Sequence, residues 1–201
     1  FMEKQLIISI GREFGSGGHV IAEALSKKFN IPMYDHNLLD HIAEEKNLDL
    51  ATLKKFDEKP RNVLLSRTVK GHSSSPSDHI AMMQFDYIKK KAEKGESFVI
   101  VGRCAEMVLK EFEGMISIFI LGDKECKTKR VMEVYDISKE EARKKMERHD
   151  VYRKQYHNSY CDSKWGDSRS YDLCVNSSRL GIDGTVAMLA DYIRARMGEN
   201  K

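Results

Sequence analysis

The 201 residues carry a formal net charge of +3, with 41% apolar and 32% charged side chains. That length suits one sizeable domain with a buried core, and no apolar run approaches the ~18 residues of a membrane-spanning helix, so no membrane partner is expected. The basic residues gather mainly between Lys124 and Lys154, interleaved with acidic ones, which describes a solvated helix face and argues against a nucleic-acid partner.

The chain opens on Leu6–Ile10 (LIISI), a short run rich in β-branched residues that reads as a fully buried strand. After the loop GREFGSGG, apolar residues at Val20, Ile21, Ala24, Leu25 and Phe29 predict one face of a helix, stopped by Asn30 and Pro32. A short strand follows near Met33–Tyr34. The pattern from Leu38 to about Lys94 is helical and polar, interrupted by the Ser-rich tract 71–78 (GHSSSPSD), which predicts a flexible loop. The segment 97–101 (SFVIV) predicts a second buried strand, then Gly102, Arg103 and a helical stretch to Phe112. Residues 115–121 (MISIFIL) predict a third strand, 171–176 (YDLCVN) a last one, and 183–197 a closing amphipathic helix. Buried strands alternating with helices imply an α/β fold with a parallel sheet covered on both faces.

A glycine-rich loop between a buried strand and a helix can cradle phosphate, because its amides curl around the oxygens and the helix dipole adds favourable charge. Gly11-Arg12-Glu13-Phe14-Gly15-Ser16-Gly17-Gly18 stands in that context, but the pattern G-x-x-x-x-G-K-[ST] is not met. Gly18 stands where the lysine belongs and His19 where the magnesium-binding hydroxyl belongs; counting back from Gly17, Arg12 stands where the first glycine belongs. On the phosphate reading, Arg12 replaces the lysine's charge with a fork that bridges two oxygens, and Ser16 is a hydroxyl partner. The alternative is a turn that only packs helix against strand, with Arg12 a surface side chain.

The remaining chemistry-bearing residues give weaker signals. Cys104, Cys126, Cys161 and Cys174 are irregularly spaced without a C-x-x-C pair, so no zinc ribbon or redox motif is indicated and the cysteines read as buried or incidental. The start FMEKQLIISIG has too short an apolar run and no cleavage site for a secretory signal, so a cytoplasmic protein with reduced thiols is expected. His36 and His41 do not share a helix face, and no metal site is assigned. Asp35, ending a strand beside the loop, could hold the acceptor, orient Mg²⁺ through water, or simply cap the following helix.

The ordered set S-I-G-R-E-F-G-S-G-G-H, I-P-M-Y-D-H, Val99-Ile100-Val101-Gly102-Arg103, Asp150-x-x-Arg153-x-x-Tyr156, Trp165 and Y-D-L-C-V-N-S-S resembles the cytidylate-kinase-like family over nearly the whole chain. The resemblance implies a three-layer P-loop NTPase fold: a parallel five-stranded sheet with helices on both faces. Its core would be 2–37, 95–123 and 169–201, its acceptor-binding insert about 38–94, and its lid about 124–168. It implies an ATP- and Mg²⁺-dependent kinase whose nucleotide is held by Gly11, Arg12, Gly15, Ser16, Gly17, Gly18, His19 and Arg130. Arg12, Arg148 and Arg153 are then the catalytic cations, with Arg143 a further lid candidate, because phosphoryl transfer needs positioning and charge stabilisation. Asp35, His41, Arg103 and Asp150 would face the acceptor, a nucleoside monophosphate or related small phosphate acceptor. Cys104 replaces the family's aspartate after that arginine, and His41 replaces an arginine. Trp165 and Tyr171 are expected to pack the end of the lid. A monomer or homodimer is expected. Two other readings stay open: a nucleotide-binding regulator that has lost transfer activity, and a kinase for an unrelated small molecule.

Overall fold

The computed structural model describes residues 4–55, 57, 68–69, 72–73 and 75–198. Its elements run β1 (Ile7–Arg12), α1 (Gly18–Phe29), β2 (Met33–Tyr34), α2 (Leu38–Lys46), α3 (Leu50–Lys55), β3 (Thr68–Val69), β4 (His72–Ser73) and α4 (Pro76–Glu93). They continue through β5 (Phe98–Val101), α5 (Ala105–Val108), β6 (Met115–Leu121), α6 (Lys124–Tyr135), α7 (Lys139–Tyr160), β7 (Leu173–Asn176) and α8 (Ser177–Met197).

Five strands form one parallel sheet in the order β2-β5-β1-β6-β7. The opening strand is therefore central: Ile10 pairs with Val101 on one side and Ile118 on the other. Strand side chains alternate between faces. Ile7, Phe98 and Ile100 meet α2 and α4 through Leu39, Ile42 and Ile88. Ile8, Ile10, Val99 and Val101 meet α1 and α8 through Ile21, Leu25, Leu189 and Ile193 on the opposite face. Burial on both faces explains why these strands read as continuous apolar runs. The structure is a three-layer α/β fold with a parallel five-stranded sheet, as expected.

Several boundaries differ from expectation. The buried stripe of α1 is Gly18, Ile21, Ala22 and Leu25; Val20 is half exposed instead. The expected helix from Arg103 to Phe112 contracts to α5, because Arg103 and Cys104 both take left-handed backbone angles before it. Within the Ser-rich tract, His72–Ser73 pairs antiparallel with Thr68–Val69, and Pro76 starts α4 behind Ser75, where its missing N–H costs nothing; Gly71 and Ser74 lie outside the described residues. The last strand begins at Leu173, and α8 starts at Ser177 with a break at Gly181 (φ 69°) before the regular helix. The α6–α7 turn is fixed by Asp136 in the left-handed region and a capping box between Ser138 and Glu141.

Phe98 is fully buried on the central sheet. Phe98→Ala is expected to cost about 3–5 kcal/mol in urea unfolding, whereas exposed Leu180 should lose less than about 0.5 kcal/mol on substitution by alanine.

Candidate active site

β1 ends at Arg12, and the chain then turns through residues 13–17 into α1 at the carboxyl edge of the sheet. The turn requires glycine. Gly15 and Gly17 both have φ of 82°, and a Cβ on Gly18 would stand 2.5 Å from Arg12 Cβ. Thus the loop does pack helix tightly against strand. The same geometry leaves the first-turn amides of α1 ahead of its first intrahelical bond, from Ile21 N–H to Gly17 O at 3.0 Å, where an anion is favoured. Ser16 departs from expectation: it is fully buried and its Oγ donates to Glu13 O at 2.8 Å, so its side chain shapes the loop from within. Ser177 Oγ in turn donates to Ser16 O at 2.6 Å.

Arg12 lies along this edge, its Nη2 3.8 Å from Asp35 Oδ1. Its Nη1 comes so close to Gly102 that a Cβ there would stand 2.5 Å away. Asp35 also accepts from His19 Nδ1 at 2.7 Å and touches His36 Nδ1 at 3.4 Å. Burial works against ionisation of Asp35, but the charges of Arg12 and His19 and the His36 contact outweigh it and hold the carboxyl below its ordinary value. Asp35 is therefore an ionised carboxylate clamped between cationic or donor groups.

The α6–α7 arm closes over the loop through several contacts. Arg130 Nη1 donates to Gly15 O at 2.9 Å and Arg153 Nη1 to Arg12 O at 3.3 Å. Phe14 N–H donates to Asp150 Oδ1 at 2.7 Å, and the Phe14 ring stacks on His149 with centroids 4.3 Å apart. Burial pushes the Asp150 carboxyl up, against the pull of the Phe14 N–H and of Lys127 and Arg153. Glu13 accepts from Lys127 Nζ at 2.7 Å and from Gly122 N–H at 3.1 Å. Between loop and arm lies a cavity of about 380 Å³, whose wall includes Arg12, Arg130, Arg153, His19 and Asp35. Val134 and Tyr135 give its rim an exposed apolar side.

The sequence candidates are thus divided. Arg12, Gly15, Gly17, Gly18, His19, Asp35, Arg130 and Arg153 come together at the cavity, with Gly11 beneath, where its missing Cβ admits Phe119. Arg148 is exposed on α7 outside the cavity wall, and Arg143 is held on the surface by Glu125 at 2.6 Å. His41 is exposed on α2 with its ring against Tyr34. Asp150, expected at the acceptor, is engaged with the loop backbone instead. Arg103 does not project into open space: it is buried and paired with Asp57 by two contacts, one at 3.2 Å. Trp165 and Tyr171 pack on Phe119, with centroids 5.3 and 5.1 Å away. Sequence reasoning missed Lys127, His149 and Asp57, because each is one polar residue in a charged stretch and only the folded arm or insert brings it to the site.

Fold and loop together define a three-layer α/β protein with a glycine loop at the carboxyl edge of the sheet and a cationic arm over it. The chain belongs to the cytidylate kinase-like family, whose model matches residues 7–179. It is 44% identical to an uncharacterized protein from Eubacterium ventriosum ATCC 27560, covering 95% of this chain and 99% of that one, with a TM-score of 0.76. Shikimate kinase from Bacteroides thetaiotaomicron shares the fold at 14% identity and a TM-score of 0.55, covering 94% and 98%. Shikimate kinase from Acinetobacter baumannii, solved with shikimate, shares it at 10% identity and 0.55, covering 96% and 95%. No curated protein matches the sequence. Family membership supports a kinase-type phosphotransferase.

Two outcomes test this geometry. Gly17→Ala forces a side chain at positive φ, with its Cβ 2.3 Å from Ile182 Cδ1; it should cost about 1–3 kcal/mol in urea unfolding and weaken phosphate binding in calorimetry. Because the folded pKa of Asp35 is depressed, its ionisation contributes stability above the unfolded carboxyl value that is lost as pH falls through the folded one. The stability difference between wild type and Asp35→Asn should therefore shrink as pH drops from about 5 to 3, measured by urea unfolding at each pH.

Proposed function

We propose that the protein transfers the γ-phosphoryl group of ATP to a nucleoside monophosphate or a related small phosphate acceptor. The observation that carries this reading is the convergence of Arg12, Arg130 and Arg153 on one cavity at the mouth of a glycine loop. The residues present fit a nucleotide triphosphate: the α1 amides and Arg12 would hold its phosphates, and Asp35 would meet Mg²⁺ through water. The metal, when bound, would neutralise charge on the transferring phosphate. Arg12 supplies the charge that a lysine would otherwise bring, with its fork fixed by Asp35 and by the space over Gly102. Arg153, anchored on the Arg12 carbonyl, is suited to stabilise charge on the equatorial oxygens in the transition state. On this reading 38–94 is the acceptor insert and 124–168 the lid.

A second reading, a kinase for a small hydroxylated molecule that is not a nucleotide, is favoured by one feature. The buried Arg103 is already engaged by Asp57, so an anionic acceptor must displace a carboxylate there, whereas a hydroxyl can join the pair.

The test is ADP formation from ATP and Mg²⁺ with each nucleoside monophosphate, and then small hydroxylated acids, offered in turn. One monophosphate should be turned over. With it, Arg12→Ala should weaken ATP binding, Arg103→Ala should weaken acceptor binding, and Arg153→Ala should lower kcat by about 100-fold with little change in either affinity. Turnover of a hydroxylated acid alone would install the second reading. ATP binding without turnover of any acceptor would leave a regulatory nucleotide-binding protein.

A further inference from the structure

Away from the cavity, four titratable side chains meet in the interior where α7 ends against the turn after β5. Cys161 caps the carboxyl end of α7, its N–H donating to His157 O at 2.9 Å. Cys104 stands in the turn beside Arg103, in the left-handed region at φ 52°. Both cysteines lie in one small buried cluster with Phe85 and Tyr156. His157 is one turn before Cys161 on the same helix face, with a ring nitrogen within 4.8 Å of the Cys161 sulfur. Its Nε2 is 2.5 Å from Glu106 Oε1, with both side chains buried.

Glu106, His157 and Cys161 could together offer three atoms to a metal ion, but their geometry favours another use. Two atoms on one zinc, each about 2.0–2.2 Å from it at a tetrahedral angle, stand well over 2.5 Å apart. The Glu106–His157 separation is that of a hydrogen bond with the proton between them. The group is instead a carboxylate that orients an imidazole, an imidazole that orients a thiol, and a second thiol beside the first.

We propose that Cys161 and Cys104 are a redox pair, closing to a reversible disulfide when a hydroperoxide reaches Cys161. The Cys161 thiolate attacks one peroxide oxygen; the O–O bond breaks, the departing alkoxide or hydroxide takes a proton from His157 or solvent, and a sulfenic acid remains. The Cys104 sulfur then attacks Cys161, the S–O bond breaks, and the leaving hydroxide takes the Cys104 proton as water. Two thiols lose two electrons, one hydroperoxide gains them, and a dithiol reductant reverses the step. Hydrogen bonds from Cys104 and His157, and the charge of His157, lower the Cys161 pKa despite burial, and His157 is itself held protonated by Cys161 and Glu106. Cys161 keeps 8% of its surface open, against 3% for Cys104, so it is the more accessible residue of the two.

The bond would tie the end of the helix carrying Asp150 and Arg153 to the turn carrying Arg103. Its effect on turnover rests on the kinase reading; its formation does not. The full chain, reduced and then treated with a few equivalents of hydrogen peroxide, should lose two of its four thiols and yield a Cys104–Cys161 linked peptide, both changes reversed by dithiothreitol. Cys104→Ser should stop at a sulfenic acid captured on Cys161 by dimedone, and His157→Gln should slow thiol loss by about tenfold or more. If an acceptor is known, the oxidised chain should turn over about tenfold more slowly and recover on reduction. The proposal is overturned if wild type keeps all four thiols titratable, if exposed Cys126 reacts while Cys161 does not, or if the purified chain holds one zinc that protects both sulfurs. The wild-type peptide map decides even if Cys104→Ser does not fold.

Discussion

The constraint on which the site depends is the close approach of Arg12 to two glycines. Its Cβ lies under Gly18 and its guanidinium over Gly102, and a methyl group at either place would stand 2.5 Å from it. The arginine therefore sits in the plane where the carboxyl ends of β1 and β5 meet the start of α1. From there its Nη2 approaches Asp35, and Asp35 gathers His19 and His36. A longer residue at position 18, as the usual lysine would be, could not share this space with Arg12. Loss of the lysine and gain of the arginine are thus one steric exchange, which accounts for two of the loop's three departures from the common pattern, those at positions 12 and 18.

The loop's flanks are held just as tightly. Glu13 is bound to Lys127 and to the Gly122 amide, Phe14 to Asp150 and His149, and Gly15 to Arg130. Every one of these links except the Gly122 amide joins the loop to α6 or α7. A movement of that arm is then a movement of the glycine loop's support, so on the kinase reading arm position and nucleotide binding would be mechanically coupled. Phe14 contributes two contacts to this linkage, since its ring is stacked on one arm residue while its amide is bonded to the next.

The sheet was legible in the sequence because burial on both faces leaves runs such as LIISI, FVIV and MISIFIL with few polar interruptions. The loop was legible because glycine spacing between strand and helix is a local signal. Arm residues were harder. Arg130 and Arg153 reach the cavity while Arg143 and Arg148 do not, yet all four lie in the same mixed-charge pattern; helix phase and the Asp136 turn decide which arginine faces inward. Arg103 was legible as a residue but not in its state, because its partner Asp57 comes from the insert, forty-six positions earlier. The Cys104–Cys161 contact was invisible for the same reason: no spacing rule relates a strand-end turn to the far end of a later helix.

The candidate site also has a consistent electrostatic logic. Its arginines are engaged by anionic or dipolar groups of the chain itself: Arg12 by Asp35, Arg130 by the Gly15 carbonyl, Arg153 by the Arg12 carbonyl and Asp150, Arg103 by Asp57. Those partners keep the guanidinium groups oriented without ligand, so little reorganisation is needed when phosphate arrives. They also mean that a phosphate must compete with what is already there. A carbonyl can keep accepting from an arginine that turns one N–H to a ligand, because the fork has several donors. A half-buried carboxylate such as Asp57, paired with a buried guanidinium, is costlier to leave behind. On the kinase reading, Arg130 could thus turn a donor to a phosphate at small expense, whereas engaging Arg103 would require that Asp57 move. On that reading acceptor binding would be linked to movement of Asp57, and an acceptor able to hydrogen-bond Asp57 while meeting Arg103 would bind with the smallest loss.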